Sequence, residues 1–147
     1  MIGFDDEMRS MEQVEAAIEI ATKYQFETLS LSFSFQFDFS IPDSIGDITS
    51  LKKLEIWSRY CNAHCLHEIS PNIGKLSNLI SLSISNAYFG LERLPESIGN
   101  LKNLEYLHIS SCSKRVFEKY TLIPPAPLKS VLLCTVRVPH WTGLPPS

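Results

Sequence analysis

Aliphatic residues recur along this chain in a fixed phrase, L-x-x-L-x-L. It is written as Phe26-x-x-Leu29-x-Leu31, Leu51-x-x-Leu54-x-Ile56, Leu79-x-x-Leu82-x-Ile84, Leu104-x-x-Leu107-x-Ile109 and Leu128-x-x-Val131-x-Leu133. The alternating end of each phrase predicts a short strand with one apolar and one polar face. Successive starts are 25, 28, 25 and 24 residues apart. That period belongs to a strand-plus-turn repeat, in which stacked units bury a continuous core.

A second phrase lies between the strands. Ile41-Pro42-Asp43-Ser44-Ile45-Gly46, Pro71-Asn72-Ile73-Gly74 and Leu94-Pro95-Glu96-Ser97-Ile98-Gly99 each put an Ile six residues before the next strand phrase. Proline fits the first turn of a helix and glycine the left-handed residue that ends one, so each predicts a single helical turn closed by Gly46, Gly74 or Gly99. The pattern decays later: Thr121 to Pro127 keeps Leu122 at the Ile position but has no glycine. Leu144-Pro145-Pro146-Ser147 reads like the opening of another turn, which leaves open a divergent terminus, a piece of a longer array or a complete small protein.

Ahead of the repeats, residues 1–9 are acidic and aperiodic and read as a loose end. Ser10 and Gln13 have capping-box spacing, and Met11, Val14, Ile18 and Ala21 follow at helical period. An amphipathic helix over about residues 11–24 is expected, covering the apolar end of the first unit. The alternation from Leu29 to Ile41 runs for thirteen residues and predicts one long strand whose aromatic side must be covered.

Composition narrows the function. The chain of 147 residues has a net charge of −3, which argues against a nucleic-acid or anionic-membrane surface. No apolar run approaches the ~18 residues of a membrane span, and no basic-then-apolar leader opens the chain. Cys61, Cys65, Cys112 and Cys134 therefore read as reduced thiols in a cytoplasmic protein, the alternative being a secreted fragment without its leader.

These phrases resemble the L-P-x-x-I-G-x-L-x-x-L-x-x-L-x-L repeat of intracellular leucine-rich repeat proteins. Such repeats occur in plant Ras-group-related proteins, in plant disease-resistance receptors and in bacterial arrays attached to Roco-type GTPases. The resemblance covers about residues 10–133. It implies an α/β leucine-rich repeat solenoid with a parallel ladder of about five strands and an N-terminal capping helix. The cap and tail would span 1–25 and the repeats 26–147. It implies binding, with no partner specified. The family's Asn or Cys eight residues into each unit falls here on Ser34, Arg59, Ala87, Cys112 and Val136, so only Cys112 conforms. The glycine of extracellular plant repeats is missing before Ile41-Pro42.

In such a ladder the residues between the inward aliphatics form the concave face. Thr28, Ser30, Ser32, Ser81, Ser83, Ser85, Ser110 and Ser130 make most of it small and polar. Lys53, Glu55, Trp57, Tyr106 and His108 stand out, and interface hot spots are rich in Trp and Tyr. They form the expected contact patch for a protein partner. The competing account has Trp57 packing against a long 57–70 loop, with the serines simply solvated.

Catalytic and metal chemistry find little support. Cys61, His64, Cys65 and His67 are dense in zinc-ligand types, yet C-x-x-H-C-x-H is not a standard structural spacing. His108 and Cys134 fall on neighbouring strands, but no orienting third group or oxyanion hole accompanies them. No phosphate-loop, nucleophile-elbow or zincin motif occurs. The sequence thus predicts a non-catalytic, cofactor-free interaction module, alone or as a regulatory segment of a signalling or immune-receptor protein. The less favoured alternative is a metal-binding domain through Cys61, His64, Cys65 and His67.

Overall fold

Ser10 starts the first element. Its backbone is extended and its Oγ accepts the Gln13 N–H at 3.3 Å. Gln13 reaches back with Oε1 to the Arg9 N–H at 2.6 Å, one residue earlier than a reciprocal capping box requires. Helix α1, Met11–Lys23, follows and buries Val14, Ala17, Ile18 and Ala21. It stops in a Schellman arrangement. Phe26 N–H donates to Ala21 O at 3.0 Å and Gln25 N–H to Thr22 O at 3.3 Å. Gln25 takes the left-handed position, with φ 51°.

The computed structural model describes residues 8–33, 39–58, 66–85, 95–109 and 130–133. The strand phrases become β1 (Thr28–Phe33), β3 (Lys53–Ser58), β5 (Ser81–Ser85), β6 (Tyr106–Ile109) and β7 (Ser130–Leu133). They form one parallel sheet in the order β1-β3-β5-β6-β7, so the molecule is α/β, with a helix followed by a parallel strand ladder. Register follows the phrase: Leu29, Leu54, Leu82, Leu107 and Val131 share one row, and Leu31, Ile56, Ile84, Ile109 and Leu133 another. The side chains of these rows from Leu29 to Ile109 are buried. So are the phrase starts Leu51, Leu79 and Leu104 and, three residues before each, Ile48, Leu76 and Leu101. The helix residues belong to the same hydrophobic cluster.

Three 3-10 helices carry the turn phrase: η1 (Asp43–Asp47), η2 (Pro71–Lys75) and η3 (Glu96–Asn100). Ile45, Ile73 and Ile98 are buried from them, as their fixed distance from the strands requires. The role expected of glycine is corrected. Gly46, Gly74 and Gly99 lie inside the turns, and neither Gly46 nor Gly74 has a positive φ. What excludes a side chain is the next turn: a Cβ on Gly46 would meet the Asn72 carbonyl oxygen at 2.8 Å.

Polar side chains stitch the turns together. Asn72 Nδ2 donates to Asp43 O at 3.1 Å, and Ser97 Oγ to Pro71 O at 2.6 Å. Ser44 holds the equivalent place in η1 and donates to Glu15 Oε2 of α1 at 2.8 Å. The helix thus offers a carboxylate where an earlier turn would offer a carbonyl. A second seam runs beside it, from Asn78 Nδ2 to Thr49 O at 2.8 Å and from Asn103 Nδ2 to Ser77 O at 2.7 Å.

Three further expectations are corrected. The thirteen-residue alternation is not one strand: β1 ends at Phe33, and Phe39–Ile41 forms β2 in a different sheet. Phe33 and Phe39 bury their rings against each other, centroids 3.4 Å apart. The stretch read as a 57–70 loop contains strand β4, Leu66–Ile69, which pairs in parallel with β2. Met8 is no loose end either. It is 3% exposed, and its N–H donates to Ser32 O at 2.8 Å on the outer edge of β1.

Candidate binding face of the parallel sheet

Strand alternation decides which side chains leave the core. Leu54 and Ile56 point inward on β3, so Lys53, Glu55 and Trp57 lie on the opposite face. On β6, Leu107 and Ile109 point inward, which puts Tyr106 and His108 on that same outer face. Tyr106 is 45% exposed, the most open aromatic of the sheet's described side chains.

Register then separates these five residues into two groups. Strand β5 lies between β3 and β6, aligning Lys53 with Ser81 and Tyr106, and Glu55 with Ser83 and His108. Two inter-strand steps put the groups about 10 Å apart. Ser81, Ser83 and Ser85 fill the strip between them. Trp57 aligns with Ser85 and Tyr106 with Ser81, so the two aromatics lie at diagonally opposite corners of a hydroxyl floor.

The charges on this face are already paired. Lys53 Nζ lies 2.8 Å from Glu55 Oε1, both side chains half-exposed. Just ahead of the same strand, Lys52 Nζ lies 2.8 Å from Glu27 Oε1. The indole of Trp57 leans across to β1, donating from Nε1 to Ser30 Oγ at 3.4 Å. Ser32, which pairs with Trp57 in register, is 5% exposed although its parity puts it on the outer face. Ser30 as the anchor of Trp57 was not singled out from the sequence. The only signal for it was its place in the same outward series, one strand away.

Of the discounted metal cluster, Cys61, His64 and Cys65 lie outside the described residues. His67 is exposed on β4, where the register passes from Phe39↔Leu66 to Ser40↔Glu68 and leaves His67 as the extra residue of a bulge. Among the described residues no three His, Cys, Asp or Glu side chains are grouped to hold a metal ion. Cys112 and Cys134 lie outside the described residues, as do Ser34, Arg59, Ala87 and Val136; His108 aligns with Leu132. Among the described residues no helix is long and apolar enough to cross a membrane.

Neither a family model nor a curated protein matches the chain.

Proposed function

We propose that this chain is a leucine-rich repeat solenoid acting as a non-catalytic interaction module, which binds a protein partner on the concave face of its strand ladder. The observation that carries this reading is the ladder itself. Five copies of one phrase lie side by side in sequence order, so equivalent positions form continuous rows across strands. A preformed face of that kind loses little conformational entropy when it binds. Lys53, Glu55, Trp57, Tyr106 and His108 are the contact residues of this proposal, and no cofactor enters it.

The test is capture of a partner by the wild-type chain and by a Trp57→Ala, Tyr106→Ala double variant of equal stability. The expected result is at least a tenfold loss of affinity in the variant, in keeping with aromatic hot spots. Full affinity in the variant would remove this face from the proposal.

A further inference from the structure

Resting on that reading, we infer that the partner segment seated on this face is an uncharged, extended peptide, held by hydroxyl hydrogen bonds between two aromatic posts. Charge complementarity is the first ground. The formal charges flanking the strip, Lys53 and Glu55, satisfy each other at 2.8 Å, so a charged ligand would find no uncompensated opposite charge there. Lys52, the cation just ahead of the strand, is likewise held by Glu27.

The floor is the second ground. Ser81 and Ser83 stand in register between the Lys53–Glu55 pair and the Tyr106–His108 pair. A serine hydroxyl both donates and accepts, which suits the alternating N–H and C=O groups of an extended backbone. A neutral polar chain satisfies such a strip, whereas a carboxylate or ammonium group would be desolvated against it without an ionic partner. Trp57 aligns with Ser85, four residues further along the strands than the row of Tyr106, so the two backbones stand diagonally about 16 Å apart, near the span of five extended residues.

The experiment selects peptides from a random display library on the immobilised full chain. Binding is then measured from about 0.05 M to about 0.5 M salt, a range over which exposed charge interactions are screened. The expected peptides carry no net charge, change affinity by less than about twofold across that range, and bind Trp57→Ala and Tyr106→Ala at least tenfold more weakly. Tyr106→Ala guards against a folding defect, because Tyr106 is the more exposed of the two. Lys53→Ala, which leaves Glu55 without its cation, is expected to shift selection toward basic peptides.

Selected peptides that carry net charge, or lose affinity steeply with salt, would overturn this inference while leaving the concave-face reading standing. If no peptide is selected, or the selected peptides bind both aromatic variants as tightly as the wild type, the inference and that reading fall together.

Discussion

A β-carbon built on Gly74 would lie 2.6 Å from Cβ of Ser97 and 2.7 Å from the Ser97 carbonyl oxygen. Turn η3 therefore seats directly on the backbone of η2, with Ser97 Oγ donating to the Pro71 carbonyl beside the contact. Alanine within a helical turn ordinarily stabilises relative to glycine by about 0.5–1 kcal/mol. Here Gly74→Ala is expected to destabilise, by about 1–3 kcal/mol, because the added methyl overpacks a backbone contact. Urea unfolding gives the sign, and a gain in stability would remove the close-approach account. Adding Ser97→Gly takes away the nearer atom but leaves the carbonyl, so the double variant should recover only part of the loss.

Leu82 tests the core. It is fully buried in the middle of the ladder, in one row with Leu54 and Leu107. Leu82→Ala is expected to cost about 2–5 kcal/mol by denaturant titration. Its neighbour Ser83 faces the other way, and Ser83→Ala should change stability by no more than about 0.5 kcal/mol. Comparable losses at the two positions would contradict the assigned parity.

At the end of α1, Gln25 holds a left-handed conformation that disfavours any residue with a β-carbon. Gln25→Gly should raise stability by up to about 1 kcal/mol, since the Schellman bonds are made by the backbone and survive the change. Thermal unfolding followed by circular dichroism measures it. A fall in the transition temperature would speak against the Schellman ending.

Ser70 carries two duties at the start of η2. It is 5% exposed, its Oγ accepts the Asn72 N–H at 3.1 Å, and it donates to the Asp43 carboxylate. Ser70→Ala removes a helix cap and leaves that carboxylate short of a donor, at a cost of about 1–2 kcal/mol. Ser70→Asn keeps a capping oxygen and an amide donor and should be the milder change. Equal losses from the two variants would show that volume, not hydrogen bonding, governs this position.

Much of this architecture was legible in the residues. Leu29, Leu54, Leu82 and Leu107 announced their row because strand parity is local, and Ile45, Ile73 and Ile98 did so because their distance to the next strand is fixed. The glycines were harder. Their sequence context suits a helix ending, while the actual constraint comes from a turn one repeat away. Strand β4 was hidden because Leu66–Ile69 lacks clean alternation, and it is stabilised by pairing with β2 rather than by its own pattern.

The sequence by itself determined which side chains face inward, where the turns fall and where α1 begins, since each depends on neighbours within a few residues. Only the tertiary structure decided that β2 leaves the main sheet to pair with β4, that Met8 meets the edge of β1, and that Trp57 is tied to Ser30. It also set β5 and its serines between the Lys53–Trp57 group and the Tyr106–His108 group. Those outcomes depend on which strand edge lies beside which, and hydrogen bonds between distant segments fix that order.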